Sequence, residues 1–309
     1  MSFSARMAWV AHRLALGLRM ARPGFLAITA VGCLVGIASA QAAGAVSGSR
    51  ALLTLLLALM LHAAANMLND HADALNGADA ANTQGLFPFT GGSRLVQGGV
   101  VQARDMRNVA LALLALAVPG GLWLTLHSGP ALLLVGLAGI LLGWAYSMPP
   151  LALMSRGLGE LAVGLAWGLM VVGADYVQRG HFALAPVAAG ASYALLIANI
   201  LIANGFPDAV PDALVGKRTL VVRLTPMRAA WLYLALALLA HGGVAVLVAV
   251  GVLPAPLLWA LASLPLSLAG GAQLLRHADS PARLRPALVL GIAAAVLHGL
   301  GLAAGFWWT

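Results

Sequence analysis

Residues 51–79 read ALLTLLLALMLHAAANMLNDHADALNGAD. From Ala51 to Leu68 there is no Asp, Glu, Lys or Arg, and Asp70, Asp73 and Asp79 then follow in close order. A helix needs about 20 mostly apolar residues to cross the hydrocarbon of a bilayer. The stretch therefore predicts a transmembrane helix that ends, at the water boundary, in a cluster of acids. The pattern repeats along the chain. Nine such segments are expected, at roughly 24–46, 51–68, 109–127, 131–147, 158–177, 185–204, 229–250, 256–275 and 287–307. Charge, Pro or Gly bounds each, as at Gly129-Pro130, Pro149-Pro150 and Leu253-Pro254.

The composition agrees with this reading. Of 309 residues, 61% are hydrophobic and 8% charged, against about 25% charged in a soluble domain. So few charges exclude a soluble globular enzyme, a disordered chain and a nucleic-acid binder, even with a net charge of +8. The single cysteine, Cys33, excludes a disulfide framework and a Cys-based metal cluster. The expected fold class is all-α: a polytopic membrane helical bundle of about nine transmembrane helices, forming one integral-membrane domain over 1–309. Residues 1–23 hold four arginines and lack the continuous apolar core of a signal peptide. They are expected to form a basic amphipathic helix on the membrane surface.

Lys and Arg mark the cytoplasmic side. With nine spans and the N-terminus inside, 15 of the 17 basic residues fall on inner segments, and only Arg50 and Arg179 fall outside. The expectation is a cytoplasmic N-terminus, an outer C-terminus and a site facing the cytoplasm in the inner membrane. The long inner segments, 69–108 and 205–228, are expected to be Asp-rich cytoplasmic loops.

Five of the nine acids lie in two short stretches there. One runs Asn69-Asp70-His71-Ala72-Asp73 and on to Asp79; the other runs Asn204-Gly205-Phe206-Pro207-Asp208 and on to Asp212. Both contain Asn-x3-Asp, and both elements are offset by the same 135 residues. This looks like a diverged internal repeat whose acidic ends face each other. On a helix, Asn69 with Asp73, and Asn204 with Asp208 and Asp212, share a face. Clustered carboxylates at a membrane repel one another and are costly to desolvate unless a cation neutralises them. The donors are hard oxygens, which suits Mg²⁺ and, through it, a diphosphate. Asp70, Asp73, Asp79, Asp208 and Asp212 are the candidate metal ligands. Basic and glycine-rich partners follow each cluster, in Gly216-Lys217-Arg218-Thr219 and Phe89-Thr90-Gly91-Gly92-Ser93-Arg94. Lys217 is the only lysine. Glycines admit an anion close to the backbone, and Arg holds phosphate oxygens bidentately.

The sequence resembles the intramembrane aromatic prenyltransferases of the UbiA superfamily. Asn69, Asp70, Asp73 and Asp79 match its first acidic motif, and Asp208 and Asp212 its second. Gly216 to Leu224, and Tyr146 through Pro149-Pro150-Leu151 and Gly157-Leu158-Gly159-Glu160 to Tyr176-Val177-Gln178, look most like the 1,4-dihydroxy-2-naphthoate polyprenyltransferase branch of menaquinone synthesis. The likeness covers most of residues 20–305. Three features depart from the family pattern: Pro207 and Pro211 inside the second motif, His71 where an aromatic is common, and the acid Asp175. Each proline should kink or end its helix.

The resemblance implies Mg²⁺-dependent transfer of a prenyl chain from a diphosphate to an aromatic ring, with release of pyrophosphate. It makes Asp73, Asp208, Asn69 and Asp212 the catalytic candidates. Lys217, Arg218, Arg94, Arg156 and Asn204 are candidates for holding the diphosphate. Tyr146, Trp144 and Phe206, with Trp167, Tyr176 and Tyr193, are candidates for facing the prenyl and aromatic groups. The implied partners are the two small-molecule substrates and membrane lipid, with no nucleic acid. Other residues have plainer readings. Glu160 suits the first turn of its helix and could pair with Arg156 four residues earlier, or could meet substrate. Asp175 is expected to pair with Arg179, His62 and His298 to be hydrogen-bonded in apolar spans, and Cys33 to pack. Two alternatives share parts of this pattern: a membrane terpene cyclase without an aromatic acceptor, and a transporter.

Overall fold

The computed structural model describes residues 3–44, 46–83 and 85–309. Its regular elements over those residues are all helical, with α1 Phe3–Ala21, α2 Pro23–Ala42, α3 Gly48–Asn76, α4 Ala78–Ala81, α5 Ala103–Ser128 and α6 Ala131–Ser147. These are followed by α7 Gly159–Arg179, α8 Leu184–Leu214, α9 Leu220–Leu224, α10 Pro226–Ala249, α11 Leu264–Arg276 and α12 Arg285–Trp307. A 3-10 segment, Ala255–Ser263, runs into α11. Among the described residues, eight helical segments are long and apolar enough to cross a membrane, counting 255–276 as one. The ninth expected span is α6, 17 residues long, at the short end of what a bilayer accepts.

α2, α7, α8 and α12 form the centre. Their core joins Val31 and Val35 to Val171, Tyr193, Ile197 and Leu302, and α10 closes it with Ala237 and Val244. Lipid offers no hydrophobic drive to bring helices together, so close backbone approach through small residues does that work. On α12, a Cβ added at Gly301 would stand 2.7 Å from the backbone of Ala260, and one at Gly305 2.8 Å from that of Leu257.

Histidines of the spans find partners within the bundle. His298 Nε2 and Ser192 Oγ are 2.6 Å apart, His241 Nε2 and Ser263 Oγ 2.8 Å, and His62 Nδ1 and Thr29 Oγ1 2.7 Å. Arg179 Nε donates to Asp175 Oδ1 at 2.8 Å, so that pair forms one turn apart as its spacing predicts. Cys33 packs at 1% exposure. Arg50, the other arginine expected outside, donates to the Val177 carbonyl at 3.1 Å. Both therefore lie at one end of the bundle. Asp73 is some 23 residues along α3 from Arg50, about 35 Å away at 1.5 Å per residue.

Two expectations change. The acid motifs do not lie in loops: α3 continues to Asn76 and α8 to Leu214. Pro207 and Pro211 do not end α8. Each forfeits one amide donor, but its fixed φ is already helical, and such losses near the end of a membrane helix are met locally. α1 presents Met7, Leu14 and Leu18 outward, while Leu16 and Met20 pack on Met67 and Leu68 of α3.

Gly301→Val should overpack the seam between α12 and the 3-10 segment and cost about 1–3 kcal/mol, seen as a lower melting temperature in detergent. Gly242→Ala on α10, with open space around it, should be neutral or slightly stabilising. Equal melting points for Gly301→Val and the parent would contradict the packing described.

Candidate active site

The extended ends of α3 and α8 bring the two motifs together. Lys217 joins them. Its Nζ donates to Asp73 Oδ1 at 3.0 Å and Oδ2 at 3.1 Å, and lies 3.4 Å from Asp212 Oδ1. A turn just past α8 delivers it, with the Lys217 amide donating to the Asp212 carbonyl at 2.9 Å. Asn69 and Asn76, one turn to either side, donate to Asp73 at 3.0 and 3.2 Å.

The segment after α4 folds over this end. Asn82 Nδ2 donates to Asp208 Oδ1 at 2.6 Å, the Ser93 amide to Asp70 Oδ2 at 3.0 Å, and Gln97 Nε2 to Asp79 Oδ2 at 3.2 Å. Gly92 has a φ of +72°, and a Cβ there would stand 2.5 Å from Asp79 Oδ2. Only glycine allows this turn to lie against that carboxylate.

Behind the cluster lies a cavity of about 550 Å³. Asn69, Asp73, Asp79, Asp208, Asp212 and Lys217 line one end. The rest is walled by apolar side chains of α3, α5, α6 and α7, such as Leu57, Leu61, Leu132, Ile140 and Val163, and reaches Leu124 and Val177 near the far end. Tyr146, Asn204, Glu160 and Trp167 also line it.

Other predicted site residues lie elsewhere. Arg94 points away from the cavity and donates to the backbone carbonyls of Asp79 and Asn82, with its guanidinium 4.9 Å above the Phe87 ring. It holds the covering segment in place. Arg156 is exposed and donates to the Pro150 carbonyl at 2.6 Å, so the pair with Glu160 that its spacing allowed is not formed. Arg218 is exposed. Trp144 packs with Met67 and Met106, and Phe206 with Val221 and Tyr233, both behind the wall. Tyr193 donates to the Ile28 carbonyl at 2.7 Å, Tyr176 packs beside Val177 at the far end, and His71 Nδ1 lies 2.8 Å from the Ala103 carbonyl. Asp70 is buried beside Asp73, with Oδ1 free of hydrogen bonds and 3.8 Å from Arg22.

Arg22 was legible only as an orientation charge. At the α1–α2 junction its backbone is left-handed, with φ 55°, which turns the guanidinium over Phe25 and into the cavity wall. Asn82, Gln97 and Asn76 were also missed. The pairing of Arg22 with Pro23 at the head of the first span was the one available sign.

Five motif carboxylates thus meet two cations, Lys217 and Arg22. Burial, then the nearby charges of Asp73 and Asp70, push the Asp79 carboxyl up to about 7. Burial pulls the Lys217 ammonium down, but Asp73 and Asp212 more than offset it and hold it above the ordinary lysine range. Among the described residues, no three His, Cys, Asp or Glu side chains gather closely enough to enclose an ion. The donors still fit a hard divalent cation. They are oxygens, they carry excess negative charge, and the Asn204 and Asp70 oxygens are buried without hydrogen bonds.

Residues 29–290 match the model of the UbiA prenyltransferase family. A 1,4-dihydroxy-2-naphthoate octaprenyltransferase of Mycobacterium tuberculosis is 33% identical over 185 residues, 60% of this chain and 61% of that one. The chain thus spans about three fifths of the length of that relative. A 2-carboxy-1,4-naphthoquinone phytyltransferase of Synechocystis is 27% identical over 300 residues, 95% of this chain and 93% of that one. A solved structure of a UbiA homolog from Archaeoglobus fulgidus bound to GPP and Mg²⁺ has a TM-score of 0.61 at 19% identity, covering 93% of this chain and 99% of that one. It shares the fold.

The raised Asp79 sets a direction for stability against pH. Between the ordinary carboxylate range and about 7, folded Asp79 keeps a proton that the unfolded chain has lost, so its contribution falls as pH rises through that window. In metal-free detergent the melting temperature should drop from about pH 5 to about pH 8. Asp79→Asn, which can still accept from Gln97, should lessen the drop. An unchanged slope in the variant would contradict this.

Proposed function

The chain belongs to the UbiA prenyltransferase family, and on that premise we propose that it transfers a polyprenyl chain from a prenyl diphosphate to an aromatic acceptor, with Mg²⁺ required and pyrophosphate released. The acceptor is a 1,4-dihydroxy-2-naphthoate-like ring of quinone biosynthesis, the class named for its relatives. The observation that carries the reading is the meeting of both acid motifs at Lys217, at the polar end of an otherwise apolar cavity. That layout suits a molecule with an anionic head and a long hydrocarbon tail.

Asp73, Asp79, Asp208 and Asp212, with Asp70 beside them, would hold Mg²⁺, whose charge neutralises the diphosphate and eases its departure. Lys217 stabilises the leaving pyrophosphate, and its exchange of carboxylate partners for phosphate oxygens frees Asp73 and Asp212. Asn69 and Asn204 offer amide groups to the diphosphate. The apolar walls keep water from the allylic cation, and the rings of Tyr146 and Trp167 can face it. Arg94, Arg156 and Arg218 have no direct part in this reading, and Trp144 and Phe206 only support the wall.

The site opens on the cytoplasmic side of the inner membrane in this reading, with α1 lying on the lipid surface. Support comes from the 15 basic residues assigned to one side and from the placement of Arg50 and Arg179 together at the end away from the acids.

The test is an assay of the purified chain with prenyl diphosphates and hydroxylated naphthoates. Pyrophosphate release should need both Mg²⁺ and the aromatic compound, and chelator should stop it. Asp73→Asn and Asp208→Asn should each lower the rate by about 100-fold or more while the protein stays folded. A cyclic hydrocarbon made without an aromatic acceptor would point to a terpene cyclase. Substrate uptake into liposomes without pyrophosphate release would point to a transporter. Either result would overturn the proposal.

A further inference from the structure

Glu160 stands in the first turn of α7, 9% exposed, on the wall of the cavity. The other carboxylates that line this cavity have partners: Asp73 and Asp212 have Lys217, Asp79 has Gln97, and Asp208 has Asn82. Among the described residues no basic group lies within ion-pair distance of Glu160. Arg156, its nearest candidate in sequence, is turned to the Pro150 carbonyl. Its own backbone amide, at the head of α7, is its one hydrogen-bond partner among the described residues, and a largely buried carboxylate with no cation beside it remains costly, so a group facing an open cavity in this state points to a ligand.

Its position says which part of the ligand. Beyond Glu160 the α7 wall turns apolar, with Ala162, Val163 and Ala166. Tyr146 of α6 lines the cavity beside it. Gly159 lets the Tyr146 ring pack against the start of α7: a Cβ there would lie 3.2 Å from Tyr146 Cε2. Glu160 therefore sits at the border between the diphosphate end and the apolar length. A donor with its head at Lys217 and its tail along α5 and α6 has its allylic carbon at that border. The ring that attacks this carbon must lie there too.

We propose that Glu160 is the base that takes the hydroxyl proton of the aromatic acceptor, so that the acceptor class is a hydroxylated arene. This rests on the aromatic-transfer reading above. Removing that proton feeds electron density into the ring and raises the nucleophilicity of its ortho and para carbons. As the ring carbon bonds to the allylic carbon, the C–O bond to the diphosphate breaks and its electron pair leaves on pyrophosphate. The hydroxyl proton moves to Glu160, and the ring is left with a carbonyl. Tautomerisation returns that proton from Glu160 to the oxygen, and the proton of the attacked carbon leaves with pyrophosphate. Glu160 ends as it began. The amide dipoles at the start of α7 offset part of the cost that burial puts on its ionised form between turnovers.

The test uses the purified full chain and Glu160→Gln. Pyrophosphate with Mg²⁺ should raise the melting temperature of both proteins equally, since the diphosphate end is intact. Rates are then measured over a series of phenolic acceptors of rising hydroxyl acidity. The variant should lose about 10²–10⁴-fold on the least acidic acceptor. It should recover most of that loss on one already ionised at the assay pH. Full activity of the variant on the least acidic acceptor, or an equal loss on all, overturns the inference. If the parent protein itself prenylates none of them, the transfer reading falls and takes this inference with it. Glu160→Asp covers the case where the Gln variant does not fold. It keeps the base on a shorter stem, so its loss too should shrink as acidity rises, and a uniform loss counts against the role.

Discussion

The Lys217 ammonium lies 3.0 Å from Asp73 and 3.4 Å from Asp212. Without that cation, two helix ends carrying carboxylates in a water-poor setting would push apart. Coulomb repulsion at such distances amounts to several kcal/mol at the effective dielectric of a protein surface. With it, α3 and α8 can end side by side and the described part of the segment after α4 can close over them. The chain has one lysine and uses it here. A compact ammonium with three donors can bridge two carboxylates and still exchange them for another anion, where a bidentate guanidinium would be held by one.

The rest of the architecture serves to keep this polar knot at one end of a dry bundle. Close helix contact through Gly301 and Gly305, and the bonds linking Ser192, His298, Ser263 and His241, hold α8, α10 and α12 against the 3-10 segment without spending charge. The cavity falls on the other side, among α3, α5, α6 and α7, where larger aliphatic side chains leave room between helices. An ionised head and a hydrocarbon tail thus have separate, adjoining places. That separation is also what sets Glu160 apart from the motif carboxylates.

Much of this was legible from the residues. Spans are visible because hydrocarbon tolerates few charges over about 20 residues, and 131–147 was found with α6's own bounds. The acid motifs stood out because nine acids in 309 residues cannot be scattered idly. What failed was the assignment of the arginines. Orientation, loop bracing and substrate binding all draw on the same side chain at the same face, and spacing cannot separate them. Arg94 braces carbonyls, Arg156 caps a turn, and Arg22 enters the cavity through a left-handed backbone that no periodicity announces. Asn82 and Gln97 come from an aperiodic segment whose path is set by tertiary contact. The prolines misled in the opposite direction, since a rule drawn from helix interiors overstates their effect near a helix end.

The central claim is that the two motifs act as one site. A double-mutant cycle on pyrophosphate affinity in the presence of Mg²⁺, with Asp73→Asn, Asp208→Asn and the pair, tests it most directly. Groups that share one ligand should couple, so the double variant should lose less than the sum of the single losses by about 1 kcal/mol or more. Strict additivity would mean that α3 and α8 carry separate sites, and would contradict the account.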